Sequence, residues 1–98
     1  LTGRPFTVQQ AFEWGMINRI CKPESLMAEA METATIIAGN APISTRQIKQ
    51  SVNMGLGMDL RSAMMFEIEA YNRMVPTDDR LEGILAFNEK RKPVYKGS

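Results

Sequence analysis

An all-α domain of about five short helices is what the sequence predicts, and three observations carry that expectation. Apolar residues recur at i, i+3, i+4 and i+7 along most of the chain, the stripe a core-facing helix needs. Each stretch is punctuated as a helix should be, with Thr, Asp or Pro before it and Gly, Asn or Pro after it. The breaks between stretches are short, so none is long enough to be a domain linker.

The first helix is short. Thr7 and Gln10 form a capping box, with Phe6 placed outside it as a hydrophobic staple onto Ala11. Gly15 suits the left-handed position just past the helix end. Met16, Ile17 and Ile20 then alternate loosely with polar residues, which fits an extended connector or one short strand.

Pro23 opens the second helix, expected to reach Ala38. Leu26, Ala30, Thr33, Ala34 and Ile37 form its stripe, and Gly39-Asn40 stops it. Pro42 opens the third, striped by Ile48, Val52 and Leu56 and ended by Gly55 and Gly57. Asp59 caps the fourth, expected to run to Val75 along Leu60, Met64, Ile68, Tyr71 and Val75.

Thr77 caps the last helix, which Pro76 separates from the one before and Pro93 is expected to stop. Asp78 and Asp79 suit the positive end of the helix dipole; Lys90, Arg91 and Lys92 suit the negative end. On a wheel of about 100° per residue, Leu81, Ile84, Leu85 and Asn88 share a face expected to pack on the domain. Arg80, Gly83, Phe87, Lys90 and Arg91 fall on another, while Glu82 and Glu89 are expected to face solvent. An interior glycine costs about 1 kcal/mol relative to alanine. Something is therefore expected to approach closely over Gly83.

Phe87 is the outlier, a large aromatic among cations. It either packs on a neighbouring helix or forms a site for a flat, anionic group. In the second reading the ring gives an apolar, stacking surface, and Lys90 and Arg91 neutralise phosphate. Adenine nucleotides and single-stranded nucleic acids both fit that description.

Composition narrows the options. At 98 residues the chain is one small domain, and a net charge of +1 disfavours a general nucleic-acid binder. There is no histidine and one cysteine, Cys21, which excludes an internal disulfide and a histidine-based nucleophile and argues against a zinc site. No apolar run is long enough to span a membrane. No P-loop and no converging carboxylate pair is present, so no catalytic residue is assigned. Eight methionines fit either a methionine-rich core or an interaction surface. The opening LTGRPF has no initiator methionine and no signal-peptide pattern, and the chain is expected to be part of a longer protein.

The motifs then converge on a family. LTGR at 1–4 and AFEWGMINRI at 11–20, IAGNAP at 37–42, KQSVN at 49–53 and TDDRLEGILAFNEKRKPVY at 77–95 together resemble, in order, the crotonase family of enoyl-CoA hydratases and isomerases. The last motif is long and specific. The resemblance implies the C-terminal helical oligomerisation domain of such an enzyme, with residues 1–22 leading from a core that precedes it and 23–98 forming the helical domain. It implies a homo-oligomer, trimer or hexamer, and a cytoplasmic location, with the mitochondrial matrix as the other option. It implies coenzyme A as the carrier part of an acyl-CoA thioester substrate, with no tightly bound cofactor, no nucleic acid and no membrane. Phe87 and Lys90 match the family positions near the adenosine and its phosphate; Arg91 also matches the motif but can serve the helix terminus instead. The family's two catalytic glutamates and its oxyanion segment precede LTGR, and Glu24 is not one of them. The competing reading is a free-standing helical module for a protein or nucleic-acid partner, using the Lys90–Lys92 run.

Overall fold

The computed structural model describes residues 2–98, in which five α-helices, α1 to α5, follow one another with no strand among the described residues. Two units divide the chain, the first reaching Thr33 and the second spanning Ala34–Ser98.

In the first unit, α1 (Val8–Glu13) begins at the expected capping box. The Thr7 hydroxyl accepts the Gln10 N–H at 3.2 Å, and the Gln10 side chain accepts the Thr7 N–H at 2.9 Å. Gly15 takes the left-handed conformation, φ 72°. Its N–H bonds to Phe12 O while Met16 N–H bonds to Ala11 O, the paired closure of a helix end. The ring contact of Phe6 is with Trp14, centroids 5.5 Å apart. Residues 16–22 are irregular, so the connector is what forms. The second helix starts later than expected: Pro23–Ser25 make a 3₁₀ turn, and α2 proper is Leu26–Ala38. Ser25 Oγ donates to Glu29 at 2.8 Å, and Arg19 pairs with the same carboxylate at 3.3 Å.

The second unit contains the end of α2, where Asn40 Nδ2 bonds back to Ile36 O at 3.0 Å. Then come α3 (Pro42–Gly55), α4 (Leu60–Met74) and α5 (Asp78–Asn88). Asp59 caps α4 through the N–H and hydroxyl of Ser62, at 3.0 and 2.6 Å. Those bonds hold its carboxyl below the usual range. Helices α3 and α4 pack on each other, and a Cβ on Gly55 would lie 3.6 Å from that of Ala63. Between them lies a groove of about 320 Å³ lined by Ile48, Val52, Leu60, Met64 and Tyr71 among others.

The expected stripes are present, but little of them is covered within these residues. The buried hydrophobic side chains are Ala11, Ala70 and Ala86, while Leu60 is 77% exposed and Ile68 58%. The α5 face of Leu81, Ile84 and Leu85, expected to pack inward, is half-exposed. The side of α5 that is covered is Asp79, Glu82, Gly83 and Ala86, again at i, i+3, i+4, i+7. The reason lies in the chain's last residues, which fold back along that side.

Candidate functional site at the end of α5

The site begins with how α5 stops. The Thr77 hydroxyl caps the start, accepting the Arg80 N–H at 3.2 Å. The helix was expected to continue to Pro93, but it ends at Asn88. Lys90 enters the left-handed region at φ 56°, the one non-glycine residue among those described with positive φ. Its N–H bonds to Phe87 O at 3.2 Å, and the Arg91 N–H bonds to Ala86 O at 3.0 Å. This is the same closure Gly15 gives α1, with lysine where glycine is usual. An L-residue in that conformation costs about 1 kcal/mol.

The basic run beyond the turn separates into unlike parts. Arg91 was a candidate for phosphate, but its guanidinium is already occupied. It meets Glu82 through both terminal nitrogens, the second at 2.8 Å, and its Nε donates to Glu89 at 2.6 Å. A two-pronged arginine–carboxylate pair is among the stronger charged hydrogen bonds. Arg91 therefore ties the helix end to the tail. Lys90 is exposed and makes no ion pair with a described residue. Phe87 is 84% exposed, so within these residues it packs on no neighbouring helix. The turn thus offers a bare aromatic ring and, three residues on, an unneutralised ammonium.

The tail that follows folds back onto α5, through contacts whose partners no local sequence pattern signals. Val94 N–H donates to Glu82 at 2.7 Å. Lys96 and Gly97 N–H donate to the two oxygens of Asp79 at 2.7 and 2.8 Å, and Ser98 O accepts the Asp79 N–H at 3.2 Å. Asp79 is 3% exposed, so it is a buried acceptor for backbone N–H groups and not merely a dipole charge. Glu82 likewise does not face solvent freely. The close approach expected over Gly83 is real: a Cβ there would sit 3.3 Å from the Tyr95 hydroxyl. Gly97, at φ 79°, lies against the Pro42 ring. The signal that could have revealed this is the spacing of Asp79, Glu82, Gly83 and Ala86, an acidic-and-small stripe suited to a backbone and an aromatic.

Glu82 carries a pH consequence. The Arg91 side chain first, and the Val94 N–H second, hold its carboxyl down from 4.5 to about 2, and Arg91 is raised in turn. A carboxylate with a depressed folded-state pKa stabilises fully above its unfolded value and loses that contribution as pH falls through the folded one. The Glu82–Val94 contact is therefore expected to be intact above pH 4.5 and to weaken towards pH 2. Following the Val94 amide by NMR on acidification checks this; an amide unchanged down to pH 2 would contradict it.

The arrangement can bind but has no evident chemistry of its own. Among the described residues, no group of three His, Cys, Asp or Glu side chains could hold a metal ion, and no helix is long and apolar enough to cross a membrane.

An all-α chain whose terminal turn pairs a bare aromatic with a free lysine matches known proteins throughout its length. The family model for enoyl-CoA hydratase/isomerase matches residues 1–98, and the chain belongs to that family. YngF of Bacillus subtilis, which carries the same family description, is 45% identical over 96 residues, 98% of this chain and 37% of that protein. The short-chain-enoyl-CoA hydratase of Clostridium acetobutylicum is 35% identical over 91 residues, 93% of this chain and 35% of that protein. Among solved structures, an enoyl-CoA hydratase from Bacillus anthracis superposes with a TM-score of 0.96 at 40% identity, covering 99% of this chain and 38% of that one. The chain thus spans little more than a third of the length of these relatives.

Proposed function

We propose that these residues are the C-terminal helical domain of an enoyl-CoA hydratase, an enzyme that adds water across the 2,3 double bond of a 2-enoyl-CoA to give a 3-hydroxyacyl-CoA. The domain's roles are oligomerisation, as a trimer or a hexamer, and contact with coenzyme A. Phe87 offers its face to the adenine, and Lys90 offers a charge to the adenosine phosphates. The catalytic glutamates and the oxyanion-binding amides belong to the portion of the enzyme outside these residues. Coenzyme A arrives as part of the substrate, and no tightly bound cofactor is needed. The compartment is the cytoplasm or, as the name of a relative from Pongo abelii states for that protein, the mitochondrion.

The observation that carries this reading is the pairing of an 84% exposed Phe87 with a free Lys90 in a chain that matches hydratases along its whole length. A nucleic-acid role is disfavoured by the same geometry. Arg91 is neutralised by two carboxylates, which shortens an already short basic run.

The test is a comparison of substrates in the full-length enzyme. Phe87→Ala is expected to raise KM for crotonyl-CoA about tenfold, since stacking of a base on an aromatic contributes roughly 1–3 kcal/mol. Lys90→Gly, which relaxes the left-handed turn while deleting the ammonium, should act in the same direction. Both should leave kcat nearly unchanged, because binding remote from the chemistry is common to ground and transition states. Neither should alter KM for crotonyl-pantetheine, which lacks the adenosine phosphates. An unchanged KM for crotonyl-CoA in both variants would remove the assignment.

A further inference from the structure

Lysine has no preference for the left-handed conformation that Lys90 adopts. Such conformations persist where the surroundings over-determine them. Here Glu82 is the side chain that holds both Arg91 and Val94, with Glu89 a second partner of Arg91 and Asp79 holding the amides further on. Glu82 holds the Arg91 guanidinium through both its oxygens and also accepts the Val94 N–H. Arg91 is thereby drawn back against the middle of the helix, and the chain must reverse at Lys90 to reach it. Gly83 leaves room for Tyr95 in the same fold-back.

We propose that Glu82 is a positioning residue for the coenzyme A contact: by clamping Arg91 and the Val94 amide it fixes the turn at Lys90, and so sets the direction in which the ammonium meets the adenosine phosphates. The inference rests on the coenzyme A reading of Phe87 and Lys90.

Charge alone predicts the opposite outcome. Glu82 is an anion near a site for an anionic ligand, so simple electrostatics says that neutralising it should tighten binding. Positioning says that it should loosen binding. In the full-length enzyme, Glu82→Gln is expected to raise KM for crotonyl-CoA about fivefold, an ordinary coupling between residues in one network. The kcat and the KM for crotonyl-pantetheine should hold. In a Lys90→Gly background the same substitution should add nothing, because glycine adopts the turn unaided and has no side chain to aim. Arg91→Lys, which keeps the charge but loses the planar fork, provides a second variant and should raise KM in the same direction.

A KM for crotonyl-CoA that falls or stays level in Glu82→Gln would overturn the proposal. So would an equal rise for crotonyl-pantetheine, or a full additive effect on top of Lys90→Gly. If Lys90→Gly and Phe87→Ala both leave KM unchanged, the coenzyme A reading itself falls; if Phe87→Ala raises KM while Lys90→Gly does not, the Phe87 contact stands and the positioning role is lost with that of Lys90; if Lys90→Gly raises KM while Glu82→Gln does not, only the positioning role is lost.

Discussion

Replacing Asp79 with alanine is expected to release residues 94–98 from α5. Asp79 is the buried end of the fold-back, with each carboxylate oxygen accepting one backbone N–H. Hydrogen bonds to a charged group contribute about 1.5–3 kcal/mol each. Alanine removes both acceptors and leaves the Lys96 and Gly97 amides to find water. Removing a carboxylate from a buried position also returns some desolvation cost, so the expected net loss is ~3 kcal/mol, at the low end of the sum of the two bonds. That corresponds to roughly a hundredfold in the opening equilibrium. Amide hydrogen exchange at Lys96 and Gly97 is therefore expected to speed up about a hundredfold. Exchange at Ser62, whose amide is held by Asp59 in a separate cap, should not change. Asp79→Asn keeps one acceptor but turns an N–H₂ towards the other amide, and should lie between wild type and alanine. If both amides stay protected in Asp79→Ala, the tail is held by Tyr95 and Glu82 and not by this carboxylate.

The contrast between Asp79 and Asp59 shows what a sequence can disclose. Asp59, Thr7 and Thr77 bond to an N–H three residues away, so residue type and spacing were enough to place each cap. Asp79 bonds to amides 17 and 18 residues away, and no local pattern announces that distance. The same contrast separates the two helix ends. Gly15 declares its left-handed turn, because glycine tolerates positive φ. Lys90 adopts an equivalent turn without declaring it, so Pro93 is the only stop visible in the sequence, and the helix ends about one turn before it. Phe87 was legible as an aromatic out of place, and Gly83 as a glycine needing a neighbour. The identity of that neighbour, Tyr95, depends on the tail and was not legible. Arg91 looked like a second ligand for phosphate because a wheel shows direction but not partners, and its partner Glu82 lies nine residues back.

The largest expected effect concerns the 98 residues taken alone: they should give no measurable hydration of crotonyl-CoA. Hydration of an enoyl thioester needs an acid–base pair for water and proton and donors aimed at the developing enolate oxygen. The described residues hold no histidine, and the carboxylates resolved with partners serve caps, ion pairs and the tail. The same residues should self-associate. In the second unit the buried apolar side chains are two alanines, while Leu60, Leu56, Ile68 and Val52 on α3 and α4 and the turns beside them remain more than half exposed. Apolar surface of that kind contributes about 25 cal/mol per Å² once covered, whether by other polypeptide or by another copy. For these residues taken alone, another copy is the available cover. Sedimentation velocity over a hundredfold range of concentration, from about 1 μM, should show mass rising with concentration. A strictly monomeric profile would contradict the interface reading of these stripes, and purified turnover of crotonyl-CoA would contradict the location of the chemistry elsewhere. The two readouts are independent, since the first depends on the α3 and α4 faces and the second on groups that these residues do not supply.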